Sequence, residues 1–113
     1  MNDLEDRTLK FAKDVREFCK RLKHDVITVI YIKQVIRSSS SIGANYIEAN
    51  ENLGKQDLIL RLRIARKEAK ETKYGLDLLE SETVNSSVLK NEVEEIRKIL
   101  SAIINKLLQK QKL

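Results

Sequence analysis

An all-α fold, an antiparallel up-down-up-down four-helix bundle, is what this sequence predicts, and three observations predict it. Apolar residues recur at alternating spacings of three and four through four successive segments. The chain contains no proline, and glycine stands only at positions 43, 54 and 75, so little interrupts a helix. The breaks between segments are short and polar, which makes consecutive helices double back on one another. At 113 residues the chain is expected to form one domain, 1–113, long enough to bury a core without disulfides or metals.

The first helix is expected over about residues 3–23. Leu4, Thr8, Phe11, Val15, Phe18 and Leu22 form one stripe, and Asn2 or Asp3 can cap its start. Cys19, beside that stripe, reads as a small buried apolar residue. Lys20, Arg21 and Lys23 crowd the last turn, where positive charge complements the helix dipole. His24-Asp25 marks a short connection, with His24 expected in solvent.

The second helix, about residues 26–52, holds the most unusual stretch, Arg37 to Glu51, RSSSSIGANYIEANE. Ile32, Val35, Ser39, Ile42, Tyr46, Ala49 and Leu53 make its main stripe, widened by Ile36, Gly43 and Ile47. Gln34, Ser38, Ser41, Asn45 and Glu48 line another face. Serines compete for backbone groups and are poor choices on an exposed helix. The apolar period nevertheless runs through them without a break, so they are not a linker. Ser39 with Gly43 and Ser40 with Ala44 place small residues four apart, which admits a close neighbour.

A third helix is expected over about residues 55–82. Gly54 either closes the second helix in a left-handed conformation or caps the third. Leu58, Leu62, Ala65, Ala69, Thr72, Leu76 and Leu79 form the stripe, and its alanines are expected to meet the small face of the second helix. Arg37, Ser38, Ser41, Gly43, Asn45, Glu48, Ala65, Glu68 and Ala69 are therefore the candidate residues for helix or subunit packing. Buried amides and carboxylates among them need partners or cost about 1–3 kcal/mol each. Arg63, Arg66, Lys67, Lys70 and Lys73 share the outer side of this helix and are the candidate nucleic-acid contacts. Glu68 and Glu71 compete for the same cations within the helix.

The fourth helix is expected over about residues 87–111, after a polar loop. Leu89, Val93, Ile96, Leu100, Ile103 and Leu107 form its stripe. Glu92, Glu94 and Glu95 lie early and Lys106, Lys110 and Lys112 late, the distribution the macrodipole favours.

Composition narrows function mainly by exclusion. One histidine cannot supply a di-iron bundle or a Cys/His zinc site, so no metal or other cofactor is expected. Ser87-Val-Leu-Lys90 matches the Ser-x-x-Lys pattern of some acyl transferases but lacks their companion motifs and sits at a helix start. No glycine-rich phosphate loop is present, and no enzymatic activity is expected. Glu48, Glu68 and Glu71, paired with Arg37, Arg61 or Arg63, are suited to holding helices or subunits in register. No apolar run has the length of a membrane helix, about 18–20 residues. A lone cysteine and the absence of a leader lead us to expect a cytoplasmic, reducing setting. The net charge of +5 and pI near 9.4 permit an anionic partner, and with few free aromatics the contacts would be to phosphates rather than stacked bases.

The run Arg37-Ser-Ser-x-Ser-Ile-Gly-Ala-Asn45 with Glu48-Ala49, and Ile64-Ala65-Arg-Lys-Glu68-Ala69 with Glu71, resembles the four-helix-bundle family named for proteins encoded in intervening sequences of 23S ribosomal RNA genes. The resemblance covers nearly the whole chain. It departs from many members at His24-Asp25, where they carry proline, and at Glu68-Ala69, where they carry Gly-Ser. The resemblance implies a cytoplasmic bacterial bundle that assembles into a homopentamer. It also implies similarity to the accessory variability determinant of diversity-generating retroelements, a pentameric bundle that binds a reverse transcriptase and nucleic acid. The family name records gene location, not ribosomal membership. The function expected is therefore a non-enzymatic oligomeric scaffold whose basic surface contacts RNA, DNA or a reverse-transcriptase-like protein. The alternative is a structural or adaptor bundle with no nucleic-acid role.

Overall fold

A computed structural model of the chain describes residues 3–111, and they form four helices with no strand among them. These are α1 (Asp3–Lys20), α2 (Val26–Asn50), α3 (Lys55–Leu79) and α4 (Ser87–Gln111). Asn2 and Lys112, named above as a cap and a late charge, lie outside the described residues.

The starts fall where the periodicity put them, but three of the ends come two or three residues early, each for a local reason. α1 stops at Lys20 because the His24 ring turns back, its Nε2 3.0 Å from the Cys19 carbonyl oxygen, and occupies that end. Arg21 and Lys23 are thereby left beyond the last turn. Asp25 then caps α2, its carboxylate accepting from the Thr28 N–H at 2.9 Å. α2 ends at Asn50, and Leu53, expected at the end of its stripe, is 94 % exposed in the turn. Gly54 takes the N-cap of α3 with φ 136°, a conformation that only glycine adopts easily. Asp57 reaches back to the Leu53 N–H at 3.0 Å, and Asn52 accepts from the Gly54 N–H at 3.1 Å. α3 ends at Leu79, where Glu80 leaves the helix to bind buried Ser86 and, at 2.9 Å, Lys90.

One apolar core runs through all four helices. α1 packs on α2 and α4, and α3 packs on the same two helices, with the α2/α3 seam the most extensive. The predicted stripes supply most of it: Phe11, Val15, Ile42, Leu62, Leu76, Val93, Ile96 and Leu100 are all fully buried. Ile59 and Ile104, outside those stripes, are buried as well. Ile47, expected to widen the α2 stripe, instead stands about half exposed.

Two close approaches depend on glycine. A Cβ at Gly75 would collide with the Val35 side chain, which sits directly over that position. A Cβ at Gly43 would lie 2.8 Å from Thr8 Oγ1, so the small residue of α2 opens onto α1 and not onto the alanines of α3. The α2/α3 contact is made further round the helix. There Ser38 Oγ and Thr72 Oγ1 lie 2.7 Å apart, both buried, while Thr72 Oγ1 donates to the Glu68 carbonyl at 2.8 Å. That backbone bond engages the Thr72 hydroxyl, while the Ser38 hydroxyl lies 2.7 Å from the Thr72 oxygen and 3.3 Å from the Val35 carbonyl.

α1 is fastened to α4 by a fork. Arg7 donates from Nε and Nη2 to the two Glu92 carboxylate oxygens, each at 2.8 Å. The Arg7 hydrogen bond holds the Glu92 carboxyl below its ordinary range, against the opposing effect of partial burial.

Two outcomes are expected. Ala65 and Ala69 are fully buried, so Ala69→Leu overpacks the core by about 1–3 kcal/mol. The thermal midpoint, followed by circular dichroism, should fall by about 4 °C or more, and an unchanged midpoint would contradict this packing. The second concerns acid. Because the folded-state pKa of Glu92 is depressed, its stabilisation is present above the unfolded value near ~4.3 and is lost as pH falls through the folded one. Glu92→Gln should therefore be less stable than the parent at pH 7, and the gap in urea midpoint should close below pH ~4.

Candidate functional site

The polar stretch of α2 and the basic side of α3 meet at Arg37. α2 is rotated so that Val35, Ser39, Ile42 and Tyr46 face the core, which leaves Arg37 on the rim of the α2/α3 seam. Its Nη1 donates to Glu68 Oε2 at 3.1 Å and its Nη2 to Glu71 Oε2 at 2.7 Å. Burial is unequal across this cluster. The Glu68 side chain is 9 % exposed and that of Arg37 53 %, so the carboxylate is the group that needs the bond. The two glutamates, Glu71 first, raise the Arg37 pKa, which keeps the guanidinium charged. Arg61 does not join this cluster: its Nε lies 3.5 Å from Asp57 Oδ1, one turn away, without a formed hydrogen bond.

The remaining polar residues of the stretch behave differently from one another. Ser38 is buried and bonded across the seam. Ser41 and Asn45 are half-buried and bonded to each other along α2, the Asn45 amide donating to Ser41 Oγ and O at 2.9 Å. Glu48 is exposed, so the buried carboxylate of the region is Glu68. Of the candidate packing residues, then, Arg37, Ser38 and Glu68 bond between helices; Gly43, Ala65 and Ala69 act through their small size.

The five cations of α3 form one stripe with two halves. Arg66 and Lys73 lean toward α4, Arg66 Nη1 3.5 Å from Ser101 Oγ and Lys73 Nζ 3.7 Å from Glu94. Lys67 lies 3.9 Å from Glu71 on its other side. Arg63 and Lys70 stand exposed between them, and neither has an ion-pair partner among the described residues. The free positive charge of this face is thus centred on Arg63 and Lys70.

Neither Cys19 nor Lys90 is set up as an activated nucleophile or base. Burial pushes the Cys19 thiol up to about 11, far from thiolate at neutral pH. Lys90, the lysine of the Ser-x-x-Lys match, bonds Asp77 and Glu80 at 2.9 Å each. Those carboxylates, Asp77 foremost, raise its pKa, the opposite of what a proton-accepting lysine requires. Among the described residues no three His, Cys, Asp or Glu side chains cluster as metal ligands, and no helix is long and apolar enough to cross a membrane.

Features absent from the sequence reading lie on the flanks of α2. A groove of about 420 Å³ opens between α1 and α2, and one of about 280 Å³ between α2 and α3. Val26, Ile27 and Ile30 on α2, with Leu60, Tyr74 and Leu78 on α3, are exposed apolar side chains. The available signal was their position: each falls off the inward stripe of its helix.

The model of the family described as 23S rRNA-intervening sequence protein matches residues 2–106. A crystal structure of a protein with unknown function, from the S23 ribosomal protein family of Bacteroides thetaiotaomicron VPI-5482, has the same fold. It aligns with a TM-score of 0.79 and 36 % identity over 89 % of this chain and 97 % of that one. No curated protein matches the chain. With the match spanning nearly every described residue, the chain belongs to the family of 23S rRNA-intervening sequence proteins.

Proposed function

We propose that the protein is a non-enzymatic oligomeric scaffold, an antiparallel up-down-up-down bundle that joins others in a homopentameric ring and turns the outer face of α3 toward the phosphates of RNA or DNA. The helix order is supported by pairings that step in opposite directions along neighbours, Val35 over Gly75 and then Ser38 on Thr72, Lys73 by Glu94 and then Arg66 by Ser101. The single observation that carries the assembly is α2. Its inner stripe is fully used by the core, yet Val26, Ile27, Ile30 and Ile47 remain exposed on its other sides. Exposed apolar side chains of this kind mark interaction surfaces. The number five rests on the family resemblance.

For nucleic acid the support is the stripe of Arg63, Arg66, Lys67, Lys70 and Lys73. One subunit with Arg63 and Lys70 free offers too few phosphate contacts to bind at physiological salt. A ring repeats the patch and gains through effective concentration. The competing adaptor reading is favoured by the pairing of Lys67 with Glu71 and of Lys73 with Glu94, which removes charge from the same face.

Light scattering coupled to size exclusion should give a mass about five times 13.1 kDa at micromolar concentration; a clean monomer overturns the scaffold. Affinity for RNA or duplex DNA should fall with salt, log affinity changing by about −0.9 per neutralised duplex phosphate or −0.7 on single strands against log salt. Arg63→Gln with Lys70→Gln should flatten that slope and leave the mass unchanged. No gel shift at low salt with the parent protein would retire the nucleic-acid half and leave the adaptor reading.

A further inference from the structure

Of the five aromatic side chains, one is displayed. Phe11, Phe18 and Tyr46 are buried, and Tyr31 packs half-buried against the core. Tyr74 is 67 % exposed, and its hydroxyl has no hydrogen-bond partner among the described residues. A ring left in water adds little to the fold; an apolar body with a polar tip suits a surface that is covered on binding.

The position of that ring is specific. Arg63, Lys67, Lys70 and Tyr74 follow one another at spacings of four, three and four, so the ring stands on the crest of α3 in line with its cations. Arg63 and Lys70 have no ion-pair partner among the described residues. The nearest carboxylates of α3, Glu71 and Asp77, are held by Arg37 at 2.7 Å and by Lys90 at 2.9 Å. Beside Tyr74 lies the concave pocket of about 280 Å³ between α2 and α3, which Tyr31, Gln34 and Leu78 also line. Its charges balance, Arg37 and Lys67 against Glu68 and Glu71. The Gln34 amide is exposed, without a hydrogen-bond partner among the described residues, and offers a donor and an acceptor.

A charged track that leads to a ring beside a neutral, largely apolar pocket suits a ligand with two parts. The cations suit a phosphate backbone, and the ring and pocket suit a flat, uncharged heterocycle with polar edges. In a duplex the base faces are stacked on one another and closed to such a ring. An unpaired strand presents them. We infer that Tyr74 is a base-stacking platform and that the nucleic acid taken by α3 is single-stranded. Its phosphates lie along Arg63, Lys67 and Lys70, and one unpaired base lies on the Tyr74 ring with its edge toward Gln34. This rests on the phosphate contacts proposed above and specifies the form of nucleic acid. The count of aromatics led to an expectation of phosphate contacts alone; the exposure of Tyr74 departs from it. Every base has a π-face, so stacking here carries little sequence preference.

Fluorescence anisotropy at low salt tests this with labelled oligo-dT, oligo-U, the oligo-dT/oligo-dA duplex and an abasic strand of equal length. The parent should bind both single strands more tightly than the duplex. Tyr74→Ala should weaken single-strand binding by about fivefold or more, the loss expected for one stacked base, while Tyr74→Phe retains it. The light-scattering mass and helicity should not change, the position being exposed. On the abasic strand the parent and Tyr74→Ala should be indistinguishable, which separates stacking from any general effect on the cations. Tyr74→Trp gives the chain its only tryptophan, whose fluorescence oligo-dT should quench and the abasic strand should not. If the parent binds none of these probes, the phosphate contacts fail and the stacking with them. If the parent binds but Tyr74→Ala matches it on oligo-dT and oligo-U, or loses as much on the abasic strand, the stacking is overturned and the phosphate contacts stand.

Discussion

The closeness of α2 to α3 is the constraint on which the rest of this structure depends. Val35 packs where a side chain at Gly75 would be, Ala65 and Ala69 are buried to the last atom or nearly so, and Ser38 spans to Thr72 at 2.7 Å. With no leucine between them at these positions, the two helices leave little volume for bulky side chains inside. Hydroxyls at such a contact are costly unless paired, and the Ser38–Thr72–Glu68 carbonyl chain satisfies both. A leucine seam would bury as much area but tolerate sliding; a hydroxyl pair fixes one register.

That register determines the electrostatics of the surface above it. It carries Arg37 to Glu68 and Glu71, so the glutamates that could neutralise the α3 cations within their own helix are drawn partly toward α2. Lys67 retains only a 3.9 Å contact with Glu71, and Arg63 and Lys70 none among the described residues. On the α4 side Lys73 does have a partner, since Glu94 sits 2.5 Å from Arg97 and 3.7 Å from Lys73 and is shared between them. The basic stripe is therefore uneven: Lys67 and Lys73 have carboxylates within 4 Å, while Arg63 and Lys70 on its crest have none among the described residues.

Much of this fold is legible in the sequence because a helix converts burial into a period. Phe11, Val15, Leu62, Leu76, Val93 and Leu100 announce their own direction through spacing, and all are buried. The helix ends are less legible. α1 stops where the His24 ring reaches the Cys19 carbonyl, a contact five residues back in sequence that no propensity encodes. Partners between helices are mostly hidden: Arg37 with Glu68 and Glu71 is among the pairings expected from the sequence, but nothing in the chain's order relates Arg7 to Glu92, or Lys90 to Asp77 and Glu80. The candidate packing residues split for the same reason. Spacing places Ser38, Gly43 and Glu48 on faces of α2, but only the seam decides that Ser38 meets α3, that Gly43 opens onto α1 and that Glu48 stays in solvent.

The apolar surplus on α2 is best understood as the other side of the same constraint. A helix that approaches its neighbour through serine, alanine and glycine buries less apolar area per turn than one that approaches through leucine. Its isoleucines must then go to the flanks, where Ile30 and Ile47 are half exposed on opposite grooves. In an isolated subunit that distribution is a liability, because exposed apolar grooves promote nonspecific association. It becomes useful when a second copy covers the exposed isoleucines, as in the assembly proposed above. The close seam inside the subunit and the contact proposed outside it thus meet in one helix, which places Ser38 against α3 and leaves Ile30 and Ile47 half exposed on its flanks.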